Sequence, residues 1–230
     1  RLSIDVTLNY AIDGAADVLL LIEAAKGPDQ RLLTQDFTVW SNTPLRAVPG
    51  EEGIGQRCWL HAEGSFHAEY RATVEILRQP RDFAELGDTP IRLMPPETIP
   101  YLLPSRYCES DRLEGFVEQE FGGLSAGPLA SALVDWVAGH LTYASGTSSG
   151  TTTALMTFAE RRGVCRDYAH LLVALARAGG IPARCVSAYA PGVDPPDFHA
   201  VAELWIDGDW HLVDATHMAS SAELARVAVG

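Results

Sequence analysis

The stretch that decides the fold runs from residue 163 to residue 182 and reads GVCRDYAHLLVALARAGGIP. Within it, Ala169, Leu172 and Ala176 recur at helical spacing along one small-to-apolar face. The pattern predicts a helix from Cys165 to Ala178, because the glycine pair and the proline that follow cannot continue it. The first residue of this helix is therefore a cysteine.

Strand patterns follow the helix, in residues 184–189, 199–206 and 210–216. Asp207-Gly208 is a strong two-residue hairpin turn between the last two of them. In that register Val201 lies opposite Asp214, and His199 lies diagonal to Asp214 on the same face, with ~7–8 Å between their Cα atoms. A three-residue turn would place the two side chains on opposite faces. The sequence leaves the register open, but its best turn signal favours the pairing that brings them together.

Cys165 is a candidate nucleophile because of its place in the chain. The free N–H groups and the positive dipole end of a helix N-terminus favour a thiolate, which is the nucleophilic form of cysteine. The same N–H groups can hold the oxyanion of a tetrahedral intermediate. The alternative is an inert core cysteine, which is the commoner fate of a free thiol.

A thiolate catalyst also needs a base and a group that orients it, and the hairpin supplies His199 and Asp214 for these roles. His217 lies three residues after Asp214 and is a weaker rival to His199 as the base. Cysteine, histidine and aspartate also bind zinc, but neither an H-E-x-x-H motif nor a closely spaced cysteine pair is present. We therefore expect no metal and no cofactor.

The first third of the chain is strand-like. Apolar residues occupy even positions from Leu2 to Ile12 and again from Phe66 to Ile76, which is the period of half-buried strands. Asp13-Gly14 is expected to end the first strand. Several strands with short polar turns predict an antiparallel β-sandwich over residues 1–80.

Six of the 14 prolines lie between Pro80 and Pro104, a density that blocks both helices and sheet ladders. This predicts a linker or strap over residues 81–108. Helical periods follow, and we expect an α+β core over residues 109–230. Within that core, residues 146–150 read GTSSG and predict a flexible loop, after which a threonine can cap the next helix.

The composition excludes several functions. The chain has 230 residues, four cysteines and a formal net charge of −13. Nucleic acids and anionic membranes are bound through basic side chains, so we expect neither partner. No apolar run approaches the ~18 residues of a membrane span, and the N-terminus lacks the basic-then-apolar pattern of a signal peptide. Because the cysteines are sparse and form no C-x-x-C pair, we expect a reducing, cytoplasmic setting.

Five segments of the chain carry a resemblance to a known family. They read GVCRDYAH at 163–170, GIPAR at 180–184, FHAVAELW at 198–205, GDW at 208–210 and DAT at 214–216. In this order they resemble the transglutaminase-like superfamily, and within it the bacterial branch that is described as cysteine proteases. The resemblance covers about residues 125–217.

The resemblance implies a papain-like core in which Cys165 is the nucleophile, His199 the general base and acid, and Asp214 the group that orients the imidazole. The backbone N–H of Cys165 is expected to be one oxyanion donor. Tyr143 and Trp136, both upstream of the helix, are candidates for a side-chain donor.

Together these features predict an enzyme that transfers acyl groups from amide or peptide bonds through a thioester, either to water or to an amine. A peptide or protein amide is the expected partner. The alternative is a catalytically silent core attached to a β-sandwich that binds other proteins. A thiol that resists alkylation would favour this alternative.

Overall fold

The computed structural model describes residues 1–41, 43–194 and 196–230. The chain forms two compact units, which we call the sheet unit and the core unit. The sheet unit consists of Arg1–Gln79, Ser187–Phe198 and Ala222–Gly230, and the core unit consists of Pro80–Val186 and His199–Ser221. Each unit thus draws on separate stretches of sequence, unlike the three contiguous domains expected from the sequence. That domain division stays a prediction.

The sheet unit contains a four-stranded antiparallel sheet. Its strands are β1 (Leu2–Leu20), β2 (Gln30–Trp40), β3 (Arg46–Pro49) and β4 (Gln56–Ile76). The first three all pair with the long strand β4. Even-numbered residues of β4 from Phe66 to Val74 are at most 5% exposed, so the alternation in the sequence marks a buried face.

Strand β1 does not end at Asp13-Gly14, so the predicted strand end there is wrong. The pairing with β4 shifts register between Ala11 and Ala15 and then continues to Leu20. Gly14 has a φ of 78°, which lets the chain absorb extra residues as a bulge without leaving the sheet. Glycine at positive φ serves turns and bulges alike, and the sequence does not distinguish the two.

The predicted β-sandwich is not confirmed. A sandwich needs two facing sheets, and the described part of residues 1–80 forms one sheet. Its buried face packs with side chains from the two later segments of the sheet unit, Tyr189 and Val227 among them. The Tyr189 hydroxyl also donates to Ile22 O at 2.6 Å.

The core unit combines helices with short strands. The helices are α1 (Glu114–Phe121), α2 (Ala126–His140), α3 (Ala154–Glu160) and α4 (Cys165–Ala178). A parallel pair is formed by β5 (Thr142–Tyr143) and β6 (Arg162–Gly163). The strands β7 (Ala183–Tyr189), β8 (Phe198–Ile206) and β9 (Asp209–Val213) lie side by side in this order. The end of β7 from Ser187 onward and the first residue of β8, Phe198, belong to the sheet unit. The last strand, β10 (Ala225–Val229), belongs to the sheet unit.

Helix α4 begins and ends where the sequence predicts. Its residues from Leu171 to Ala176 are fully buried, and the helix packs against α2 and α3. Helices packed with an antiparallel hairpin fit the predicted papain-like α+β core. No helix in the described part of the chain is long and apolar enough to cross a membrane.

The proline-rich segment is a strap on the core unit. It contains the 3-10 helices Phe83–Glu85, Ile91–Leu93 and Pro96–Leu102. Arg177 of α4 donates hydrogen bonds to Leu103 O at 2.9 Å and to Ser105 Oγ at 3.3 Å. Tyr101 meets Trp210 edge to face, with 5.3 Å between the ring centroids. The C-terminal part of the strap is thus held by α4 and β9.

The hairpin between β8 and β9 has the predicted register. Ile206 pairs with Asp209, and the pairing continues regularly to the end of β9. Asp207 and Gly208 have φ angles of 53° and 83°, the combination that a two-residue type I′ turn needs. The turn therefore sets which residues of the two strands face each other.

Replacing Gly208 with alanine is expected to destabilise the protein by about 1 kcal/mol or more, because alanine is strained at a φ of 83°. The matched control is Gly139→Ala in α2, where the added methyl group meets nothing within 4 Å apart from its chain neighbours and the backbone of its own helix. A helix favours alanine over glycine by roughly 0.5–1 kcal/mol, so the control should be stabilised. Urea denaturation measures both variants, and equal stabilities would contradict the strained turn.

Candidate active site

Three elements of the core unit carry the candidate catalytic side chains. Cys165 is the first residue of α4, His199 lies on β8, and Asp214 directly follows β9. The observed hairpin register, extended by one step, places Val201 opposite Asp214 and Asp214 diagonal to His199. His199 Nε2 lies 2.9 Å from Asp214 Oδ2, so the structure brings these two side chains together.

The Asp214 carboxylate accepts hydrogen bonds on both oxygens. Its Oδ1 accepts from the backbone N–H of Thr216 at 2.9 Å and from Thr216 Oγ1 at 2.7 Å. Its Oδ2 accepts from His199 Nε2 at 2.9 Å and from the N–H of Ala219 at 3.1 Å. Burial raises the pKa of Asp214, but the bonds from His199 and Thr216 and the charge of His199 outweigh burial and hold the pKa below its usual value. Asp214 is therefore charged and fixed in orientation.

Sequence reasoning assigned no role to Thr216 or Ala219. A signal for Thr216 was present, since an aspartate two residues before a threonine can form an Asx turn. The N–H of Ala219 reaches Asp214 Oδ2 through the irregular chain after β9, for which the sequence has no comparable signal. These two residues orient the carboxylate that in turn orients the imidazole.

The surroundings of His199 favour its protonated form. Its side chain is 1% exposed, and burial alone would lower the pKa of the imidazole. Hydrogen bonds with Asp214 and Cys165, together with the negative charges of both groups, instead raise the pKa of His199 from 6.5 to about 9. An imidazolium is therefore expected near neutral pH.

The Cys165 thiol is half-buried at the N-terminus of α4. Burial raises the pKa of this thiol. A hydrogen bond with His199 and bonds from the N–H groups of Ala200 and Arg166, together with the charge of His199, outweigh burial and lower the pKa below its ordinary value. The thiolate and the imidazolium therefore stabilise each other.

The contact between Cys165 and His199 is less regular than the contact between His199 and Asp214. Because Asp214 engages Nε2, Nδ1 is the ring nitrogen left for the thiol, and it is buried without a partner in regular hydrogen-bond geometry. The thiol is nonetheless close enough to shift the pKa values of both groups. Catalytic hydrogen bonds are often long or poorly aligned before a substrate binds.

The two candidate oxyanion donors lie in different surroundings. Tyr143 ends β5, which pairs with the strand directly before α4, and its ring lies 6.0 Å from that of Tyr168 on α4. Trp136 packs among other aromatic rings, 5.1 Å from Phe116 and 5.7 Å from Phe158 between centroids. Tyr143 therefore lies nearer the start of α4, whereas the Trp136 ring contributes to the core. The donor roles of both residues stay predictions.

The other histidines and cysteines that the sequence offered lie in other surroundings. His217, the rival base, is exposed and contacts the carbonyl of Asp214 through its backbone N–H at 3.1 Å. Cys58 is buried in the sheet unit, and Cys108 and Cys185 interact with each other in the core unit. Among the residues that the structure describes, no group of three or more His, Cys, Asp or Glu side chains is arranged to hold a metal ion.

Replacing Asp214 with asparagine is expected to lower the pKa of His199 from about 9 by ~1–3 pH units, because the imidazolium loses its charged partner while its burial remains. Titration of the His199 ring protons by NMR measures the change. The matched control is Asp207→Asn, at an exposed turn position where asparagine also accepts a positive φ. If the pKa of His199 is unchanged in Asp214→Asn, a group other than Asp214 raises it in the wild type.

The family of the chain follows from its similarity to known proteins. Residues 115–215 match the model of the transglutaminase-like superfamily. A crystal structure of a candidate cysteine protease from Cytophaga hutchinsonii is 32% identical in sequence, with a TM-score of 0.90. This similarity covers 100% of the present chain and 84% of that protein.

Two further similarities are more limited. An uncharacterised protein of Mycobacterium leprae is 31% identical in an alignment of 107 positions that covers 43% of this chain and 38% of that protein, so the chain spans well under half the length of this curated relative. The ethylmercury-bound periplasmic domain of TgpA from Pseudomonas aeruginosa is 18% identical, with a TM-score of 0.48, over 93% of this chain and 76% of that one. The family match and the similarity to the Cytophaga structure together show that the chain belongs to the transglutaminase-like superfamily, in its bacterial branch.

Proposed function

We propose that the chain is a cysteine-dependent enzyme that transfers acyl groups from amide or peptide bonds through a thioester intermediate. The observation that carries the proposal is one imidazole, that of His199, which interacts with both the Cys165 thiol and the buried Asp214 carboxylate. Membership of the transglutaminase-like superfamily and the similarity to a candidate cysteine protease support the same class of enzyme. A peptide or protein amide is the proposed substrate class.

In the first half of the reaction, Cys165 Sγ attacks the carbonyl carbon and forms a C–S bond. The carbonyl electron pair moves to oxygen, and it returns as the C–N bond breaks. His199 transfers its proton to the leaving amine. The raised pKa of His199, about 9, keeps that proton available at neutral pH.

The oxyanion formed in this step needs hydrogen-bond donors near the thiol. The N–H of Cys165 has no intrahelical acceptor, because it belongs to the first turn of α4. It is the proposed backbone donor, and the positive end of the helix dipole adds a favourable potential. Tyr143 is the better placed of the two candidate side-chain donors, since its ring lies beside Tyr168 of α4.

In the second half of the reaction, an acceptor attacks the thioester carbon and the C–S bond breaks. His199, now neutral, takes a proton from the acceptor, and Asp214 stabilises the resulting imidazolium. Water as the acceptor gives a carboxylic acid, whereas a primary amine gives a new amide. We favour hydrolysis, because the similar Cytophaga protein is described as a candidate cysteine protease.

Thiol alkylation tests the state of Cys165 without a known substrate. Its modification by iodoacetamide, followed by mass spectrometry, is expected to rise with pH around a midpoint below that of an ordinary thiol, ~8.5. The midpoint is expected to be low because a lowered pKa of Cys165 makes the reactive thiolate available at lower pH. A midpoint at or above the ordinary value, or a thiol that resists modification, would favour a catalytically silent core that binds partners instead.

Replacing Cys165 with alanine is expected to reduce acyl transfer by at least about 10³-fold, because the thioester can no longer form. The probe is 4-nitrophenyl acetate, whose acetyl group moves to the thiolate as 4-nitrophenolate leaves. Mass spectrometry should find the acetyl group on Cys165, and added primary alkylamine shows whether an amine competes with water for it.

The control for this variant is Cys58→Ala, because that thiol lies in the sheet unit. In the Cys58→Ala variant, Cys165 should be acetylated at the wild-type rate. If Cys165→Ala releases nitrophenolate as fast as the wild type, the proposed nucleophile is wrong.

A further inference from the structure

The turn that contains Cys165 is closed by Asp167, through both its side chain and its backbone. The N–H of Val164 donates to Asp167 Oδ2 at 2.8 Å, and the N–H of Asp167 donates to Val164 O at 2.9 Å. The two hydrogen bonds form a ring around Cys165 and Arg166, which lie between them in sequence. The orientation of the backbone N–H groups of these two residues therefore depends on Asp167.

Those N–H groups are the ones that the proposed reaction needs. The first turn of a helix leaves its N–H groups without intrahelical acceptors. The N–H of Arg166 lies close enough to the Cys165 thiol to lower its pKa, and the N–H of Cys165 is the proposed oxyanion donor. A change in the hydrogen bonds between Val164 and Asp167 would thus affect the thiolate and the oxyanion together.

A second set of contacts fixes the Asp167 carboxylate through its other oxygen. Ser148 Oγ donates to Asp167 Oδ1 at 2.9 Å, and Arg166 Nη2 donates to Ser148 Oγ at 2.7 Å. Arg166 Nη2 also donates to Ser149 O. The loop at 146–150, which the sequence predicts to be flexible, is therefore tied to the start of α4.

The surroundings leave little room for another arrangement of this carboxylate. Asp167 is 1% exposed. A Cβ atom on Gly163 would lie 2.5 Å from Asp167 Cβ and 2.7 Å from its Oδ2. Glycine two residues before the cysteine is thus what allows the carboxylate to reach back to the N–H of Val164.

We propose that Asp167 is a positioning residue for the reaction of Cys165, because its carboxylate holds the turn that aims the N–H groups of Cys165 and Arg166. The inference rests on the function proposed above, in which Cys165 is the nucleophile. Two other accounts of Asp167 make different predictions. An ordinary helix cap would affect stability alone, and a negative charge acting by itself would raise the pKa of the nearby thiol.

The test compares Asp167→Ala with Asp167→Asn by the pH dependence of Cys165 alkylation. Alanine removes both hydrogen bonds of the carboxylate and is expected to raise the alkylation midpoint by about half a pH unit or more, since the thiolate loses an aligned N–H donor. Acetylation of Cys165 by 4-nitrophenyl acetate should slow by up to about 100-fold. Asparagine keeps an acceptor for the N–H of Val164. The alkylation midpoint and the acetylation rate of Asp167→Asn should therefore both lie close to those of the wild type.

The outcomes separate the three accounts. An unchanged midpoint in Asp167→Ala, with only a lower melting temperature, would establish an ordinary cap and overturn the proposal. A lower midpoint in both variants would mean that the charge alone acts, and would overturn it as well. Gly163→Ala, which displaces the carboxylate but keeps it, should raise the midpoint even if Asp167→Ala does not fold. Asp135→Ala, at an exposed position of α2, is the matched control for the loss of a carboxylate.

Failure of the proposed function gives a different pattern from failure of this inference. If Cys165 is not the nucleophile, its wild-type midpoint is that of an ordinary thiol and Cys165→Ala retains acyl transfer. If only the inference fails, the wild type passes both of those tests, and the alkylation midpoints of the Asp167 variants equal that of Asp135→Ala or lie below it. All proteins are compared at a temperature at which circular dichroism finds them folded.

Discussion

The hydrogen bond between His199 and Asp214 is the interaction on which the candidate site depends. Both side chains are 1% exposed, so either charge would be unstable there without its partner. The carboxylate also receives bonds from Thr216 and Ala219, and the imidazolium in turn stabilises the Cys165 thiolate. A change at Asp214 therefore passes to Cys165 through His199.

The hydrogen bond between His199 and Asp214 requires that neighbouring strands keep a fixed register. Glu203 lies four residues from His199 on the same face of β8 and forms a buried ion pair with Arg184 of β7, with 2.8 Å between Nη2 and Oε2. The Arg184 guanidinium lies 3.9 Å from the centre of the Trp210 ring on β9. Such a pair contributes little net stability, but a shifted register would leave both charges buried and unpaired. The pair therefore holds β8, which carries His199, in place against β7, and the contact of Arg184 with Trp210 adds a link to β9, the strand that leads to Asp214.

Local signals predicted much of this arrangement, and they failed where distant segments intervene. The turn at Asp207-Gly208 was enough for the hairpin register, because that turn requires two successive residues at positive φ. The same dipeptide at Asp13-Gly14 misled, since β4 pairs with the chain on both sides of a bulge. The sandwich was not confirmed because the buried face of the N-terminal sheet packs against segments near Tyr189 and Val227, far along the chain.

The sequence by itself determined the helix that begins at Cys165 and the pairing of β8 with β9, and hence that His199 and Asp214 share a face. Both features follow from the period of side chains and the chemistry of one turn, which act over a few residues. Only the tertiary structure decided the charge of the three side chains and the contacts of Asp167 with Val164 and Ser148. A pKa depends on burial and on nearby partners, and here those partners come from stretches of chain that only folding brings together.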